Sequence, residues 1–299
     1  MESAGVKVAD REEYSAQRQV DGQRLRVHCL HWAGPDAPVV AMVHGLEGSW
    51  DTWHPLRRGC FKRFTLFSLK LPWDGQAGYE WCHVRPAREW LALTLDLLPV
   101  APTLIVAHSY GVNVVLEYLE RNGLGALEGL VLMSSFYRTD AGGNDWRVFE
   151  GCLRGFRAIL EQGIALRRGR ELETGLMSVI VDKVVDHVGP VGFAECFSHF
   201  VRTPLLHLER LALPALVIAG ERDPGATAAG NAALAAALPA GQITVLPRCG
   251  HFGMVEHPHL VEATVRQFLM QRLPALLVDR PVPSTRHTAR ERVNQWREE

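Results

Sequence analysis

A chain of 299 residues is long enough for one large α/β domain or two small ones, and either way it can bury a sizeable core. With 47% hydrophobic residues, 22% charged residues and a net charge of -1, it lacks the basic excess that draws proteins to nucleic acid or anionic membranes. A small-molecule partner is expected, with no nucleic acid. Cys29, Cys60, Cys82, Cys152, Cys196 and Cys249 form no C-x-x-C pair and no repeated spacing, so neither a metal site nor a disulfide framework is expected, and no cofactor motif is present. The N-terminal stretch MESAGVKVADREEY has no apolar core of a signal peptide, and no apolar run approaches the roughly 18 residues of a spanning helix. A cytoplasmic protein without membrane insertion is the expectation.

In chain order, Asp21-Gly22 is a hairpin turn signal with strands expected on either side, from about Glu13 to Val20 and from Gln23 to Trp32. Gly34-Pro35-Asp36 breaks the chain. PVVAMVHG then reads as a strand buried on both faces of a parallel sheet, stopping at His44-Gly45. FTLFSLKLP is a second such strand, and PAREWLALTLDLL has the spacing of an amphipathic helix with Pro86 near its start. The β-branched run Thr103 to Ala107 turns at His108-Ser109-Tyr110-Gly111 into the helical pattern VNVVLEYLERNG, and Leu127 to Phe136 is expected to be the next strand. Alternation of this kind predicts a mostly parallel, doubly wound α/β sheet of about eight strands.

The rhythm breaks from Asp140 to Leu211, where RVFEGCLRGFRAILEQG and RELETGLMSVIVDKVVDHV show helical spacing and no strand pattern is evident. The sheet resumes with PALVIAGERD, a helix over TAAGNAALAAAL, the strand GQITVLP, the turn RCGHF and a final helix HPHLVEATVRQFLMQRL. The segment 279–299 is Pro-rich, then charged, and is expected to be a polar surface tail. This organisation gives a core of 1–139 with 212–278 and a helical insertion of 140–211.

Three residues carry the expected chemistry. Ser109 stands at a strand-to-helix turn between the small residues Ala107 and Gly111, which a tight turn requires where strand and helix converge. A serine hydroxyl needs a base, and the base needs an orienting acid. Asp223, directly after a buried strand, and His251, between the last strand and last helix, fall at carboxyl ends of strands, where an open α/β sheet gathers its site. Asp140 is an alternative acid in a poorer context.

The order Ser109, Asp223, His251, with the strand-end Val43-His44-Gly45, Gly220-Glu221-Arg222-Asp223 and Cys249-Gly250-His251, resembles the α/β-hydrolase superfamily over roughly Val27 to Leu273. The resemblance implies an α/β-hydrolase fold with a helical cap after the sixth strand. It also implies an oxyanion hole made by the backbone N–H groups of Tyr110 and Leu46, with His44 bracing the loop and His108 packing beside the nucleophile.

The expected activity is acyl-enzyme hydrolysis of a small, largely apolar ester, lactone or thioester. An acyltransferase or cyclase using the same intermediate, and a non-catalytic binder on the same scaffold, remain alternatives. A serine at the elbow argues against the dehalogenase and epoxide-hydrolase branches. Trp50, Trp53 and Trp73 sit in loops at strand ends, where they line an apolar pocket or pack beneath the loops. Glu47 and Asp51 read as solvated, with contact to a polar substrate as the alternative. The run Lys70-Leu71-Pro72-Trp73-Asp74-Gly75 departs from the Asp-x-Pro-Gly-x-Gly loop of many relatives, and Cys249 reads as an idle thiol.

Overall fold

The computed structural model describes residues 15–57, 59–140, 142, 145–168 and 173–278. The expected strand start at Glu13 and the 279–299 tail lie outside them. Eight strands form one sheet: β1 (Ser15–Val20), β2 (Gln23–His31), β3 (Val39–Val43), β4 (Thr65–Lys70), β5 (Leu104–His108), β6 (Gly129–Met133), β7 (Ala215–Gly220) and β8 (Gly241–Leu246). Their order across the sheet is β1-β2-β4-β3-β5-β6-β7-β8. The β1–β2 and β2–β4 pairs are antiparallel and the rest are parallel.

The hairpin between β1 and β2 turns on Asp21 and Gly22, at φ 45° and 78°. Positive φ at both central residues matches the right-handed twist of the flanking strands, which is why Asp-Gly serves there.

The central strands explain their own unbroken hydrophobicity. Successive side chains of a strand point to opposite faces, so a strand covered on both sides needs apolar residues throughout. Along β3, Val39, Ala41 and Val43 join one core while Val40 and Met42 join the other. In β7, Ala215 and Val217 divide from Leu216 and Ile218 in the same way.

Helices α1 (Trp81–Val84), α2 (Ala87–Leu95) and α3 (Tyr110–Asn122) follow in chain order, then α4 (Trp146–Arg168), α5 (Thr174–Arg202), α6 (Ala228–Ala237), α7 (Gly253–Glu256) and α8 (Pro258–Arg272). Helices α2 and α3 cover one face through Trp90, Leu91, Val112 and Leu116. Helix α8 covers the other through Val261, Val265, Phe268 and Leu269, beside a 3-10 turn over Trp50–Leu56.

The irregular stretch between β6 and β7 holds α4 and α5, in the place the lost strand pattern indicated. Helix α5 runs further than its sequence pattern, which ends at Val188. Gly189 takes φ 60° there and Pro190 follows, so the helix breaks and restarts in a new direction. No helix among the described residues is long and apolar enough to cross a membrane.

Candidate active site

The turn from β5 into α3 forces Ser109 to φ 56° and ψ -128°, a strained conformation for a residue with a Cβ. Strain of this kind persists only where the surroundings hold it. Ala107 is fully buried. A Cβ on Gly111 would lie 2.5 Å from the carbonyl oxygen of His44, and one on Gly45 would lie 2.8 Å from the Cβ of Ser109. Small residues therefore let the β3 loop, the Ser109 turn and the start of α3 meet.

The structure brings Ser109, Asp223 and His251 together from the ends of β5, β7 and β8. His251 Nε2 lies 2.8 Å from Ser109 Oγ, and its Nδ1 lies 2.7 Å from Asp223 Oδ2. The other carboxylate oxygen of Asp223 accepts the backbone N–H groups of Gly225 and Ala226 at 3.0 and 2.8 Å. Burial alone would raise the Asp223 pKa. The neighbouring His251 and these two donors outweigh it and hold the carboxyl below its usual range. Nδ1 thus faces an acceptor and carries the proton, leaving Nε2 free to take one from Ser109. Asp140, the alternative acid, is exposed beside Arg138.

Tyr110 follows Ser109 directly, and Leu46 follows Gly45, which abuts Ser109. Tyr110 opens α3, so its N–H has no intrahelical acceptor, and among the described residues neither this N–H nor that of Leu46 meets a backbone carbonyl. The loop bearing Leu46 is fixed on several sides. His44 Nδ1–H donates to Gly45 O at 2.8 Å, its Nε2 accepts from Leu71 N–H at 3.3 Å, and the Trp73 indole N–H donates to His44 O at 3.1 Å. Burial holds His44 below its usual pKa, in keeping with a neutral ring that bridges the two. Glu47 N–H then donates to Trp73 O at 3.1 Å.

A cavity of about 650 Å³ opens onto Ser109 and His251. The tryptophans are not in its wall. Trp53 and Trp73 are buried in the core, and Trp50 stacks on His28 at 4.0 Å. The reason is the three-residue period of the 3-10 turn. It sends Trp50, Trp53 and Leu56 to one side and leaves Asp51, Thr52, His54 and Pro55 facing the cavity. Glu47 is likewise not solvated. Its side chain is 9% exposed, lines the cavity and accepts the Tyr79 hydroxyl at 2.7 Å. Cys249 is buried with its thiol pushed up to about 12, and is inert at neutral pH.

Two groups that hold the His251 loop escape sequence reading. Gln162 of α4 accepts the His251 backbone N–H at 2.7 Å. Glu256 accepts those of Gly250 and Phe252 at 2.8 and 3.0 Å. A carboxylate five residues after a loop histidine is a faint signal for the second, and nothing marks the first.

A third group lies behind the elbow. His199 of α5 is buried between Glu117 of α3 and Glu195, each 3.0 Å from one of its ring nitrogens. Its ring meets that of Tyr110 edge-on at 5.0 Å.

The sequence matches the alpha/beta hydrolase family over residues 40–264. Compared with curated proteins, it has no match. Among solved structures it is similar to a membrane phospholipase A described as a bacterial virulence factor, at 19% identity and TM-score 0.65, covering 90% of this chain and 88% of that one. A hydrolase from Pseudomonas aeruginosa PA01 shares 21% identity at TM-score 0.61, covering 85% and 98% of the two chains. The esterase RhEst1 from Rhodococcus sp. ECU1013 shares 19% identity at TM-score 0.57, covering 87% and 99%. At these identities the structural likeness speaks for the fold. Taken with the match over most of the chain, it means that this protein belongs to the alpha/beta hydrolase family.

Proposed function

We propose that the protein is a serine hydrolase that cleaves an acyl ester or thioester through a covalent intermediate on Ser109. The observation that carries this reading is the unbroken hydrogen-bonded line from Asp223 through His251 to Ser109, at 2.7 and 2.8 Å. His251 Nε2 takes the Ser109 proton as Oγ bonds to the substrate carbonyl carbon. The oxyanion is held by the N–H groups of Leu46 and Tyr110, each such donor being worth about 10²- to 10³-fold in rate. His251 then returns its proton to the leaving alcohol or thiol as that bond breaks. Water, deprotonated by the same imidazole, releases the acid and restores Ser109.

In this reading the helical segment 140–211 acts as a cap. Phe156, Ile159, Leu160 and Ile164 of α4 line the cavity, and Gln162 ties the cap to the base. The test is a fluorophosphonate probe together with p-nitrophenyl esters of graded chain length. Wild type should be labelled and should turn over esters, and Ser109→Ala should do neither. A folded wild-type protein that takes no label refutes the reading.

A further inference from the structure

The cavity has two unlike walls, and the sheet order places the nucleophile between them. Ser109 follows β5, whose neighbours are β3 on one side and β6 on the other. On the β6 side the wall is mainly apolar, from Phe136 after β6, Ile159, Leu160 and Ile164 of α4, and Phe252 after β8, although Arg167 of α4 also lines the cavity. The loops after β3 and β4 build a polar wall on the other side, from Glu47, Asp51, His54, Asp74 and Gln76. A molecule straddling Ser109 meets hydrocarbon at one end and hydrogen-bonding groups at the other.

Glu47 is the most constrained of these groups. It holds a left-handed backbone, φ 54°, which costs a residue with a Cβ on the order of 1 kcal/mol or more and belongs by preference to glycine. Tyr79 fixes one carboxylate oxygen at 2.7 Å. The other, Oε2, has no hydrogen-bond partner among the described residues. It lies against Gly75, also a cavity residue, where a Cβ would stand only 3.2 Å away. A strained carboxylate whose side chain is 9% exposed is thus held next to the oxyanion loop with Oε2 facing the cavity, where His187 and Arg167 also bear on its charge. Burial raises the Glu47 pKa from its ordinary 4.5; in its ionised form the carboxylate only accepts hydrogen bonds, so the group it then recognises is a donor.

Resting on the serine-hydrolase reading, we infer that Glu47 determines specificity, and that the substrate is an ester or thioester with one apolar arm and one arm bearing a hydroxyl or ammonium donor that binds Glu47 Oε2. A site built to receive a donor rejects an analogue lacking it, because a buried acceptor is then left unpaired.

The test compares four esters of matched size: one unsubstituted, one with a hydroxyl on the alcohol arm, one with a hydroxyl on the acyl arm, and one with an ammonium on the alcohol arm. Wild type should favour at least one donor-bearing ester over the unsubstituted ester by about 10-fold or more in kcat/KM. In Glu47→Gly, which suits the left-handed backbone, that ratio should collapse towards one, and Tyr79→Phe should reduce it partway. Ratios near one for every donor-bearing ester in wild type, or a preference that survives Glu47→Gly, overturn the inference. Fluorophosphonate labelling of Ser109 in the same preparations separates the two claims. Label with no donor preference removes the inference and leaves the hydrolase standing, whereas no label in wild type removes both.

Discussion

The imidazole of His108 donates from Nε2 to the backbone carbonyl of His251, 2.9 Å away. Burial, helped by the nearby His251, lowers the His108 pKa to about 3, so the ring is neutral, and because a carbonyl only accepts, its proton sits on Nε2. The Ser134 hydroxyl donates to the same carbonyl at 3.0 Å. His108 therefore anchors the backbone of His251, and is more than filler. His108→Leu should lower kcat by about 10-fold with little change in KM, since misplacing a base by a fraction of an ångström is costly. Steady-state kinetics on a p-nitrophenyl ester check this, and unchanged kcat would reduce His108 to packing.

Asp223→Asn should lower kcat by about 10³- to 10⁴-fold while leaving the circular dichroism spectrum intact, because the amide no longer holds the His251 tautomer or its developing charge. The acid also bears on stability. Its folded pKa is depressed from 3.8, so its contribution is complete above that value and is lost as pH falls through the lower folded one. Urea titrations in the acid range should show wild type losing stability more steeply than Asp223→Asn.

Glycine contacts at the elbow can be tested one methyl group at a time. Gly111→Ala would press its Cβ against the His44 carbonyl, 2.5 Å away, and should cost roughly 1–3 kcal/mol in urea denaturation. Gly45→Ala would meet the Ser109 Cβ at 2.8 Å and should depress kcat more than stability. Alanine variants matching wild type in both measurements would mean that the two loops have room to separate.

His199 sets a pH dependence of opposite sign to that of Asp223. Burial alone would lower its pKa, but Glu117 and Glu195 raise it above the ordinary 6.5. Tyr110, Arg202 and Arg88 complete the charged and titratable surroundings, the two arginines lying 3.8 and 3.9 Å from Glu117. A raised folded pKa means that the contribution is full below 6.5 and is lost as pH rises through the folded value. Glu117, with its folded pKa lowered from 4.5, behaves in the reverse sense and loses its contribution at acid pH. Wild-type stability measured against His199→Gln should therefore decline as pH rises above 6.5. Parallel curves for the two proteins across that range would show that His199 is uncharged in its site.

Much of this arrangement is legible in the sequence because it is local. Ser109, Asp223 and His251 each stand where an apolar strand stops, and the loop at Leu46 follows another such stop. Residues whose role depends on helical register or on distant partners are not legible. Trp50 and Trp53 look like pocket residues until the three-residue period of their turn directs them inward. Glu47 looks solvated because nothing nearby in sequence announces Tyr79, 32 positions away. Gln162 is one polar residue among several on α4, and only the packing of that helix over the His251 loop selects it. Helix α5 is longer than its pattern because Gly189-Pro190 resembles an ending, whereas the chain changes direction and resumes.

That change of direction gives α5 two footings. Before Gly189, His187 lies 3.9 Å from Glu47, the neighbour of Leu46; beyond it, Glu195 and His199 bear on Tyr110. The bend lets one helix meet both the Glu47 side chain, next in sequence to Leu46, and the Tyr110 side chain, so both loops of the proposed oxyanion hole are braced by the same element. A shift of α5, which also lends Val184 and Cys196 to the cavity wall, would therefore be felt at both loops at once.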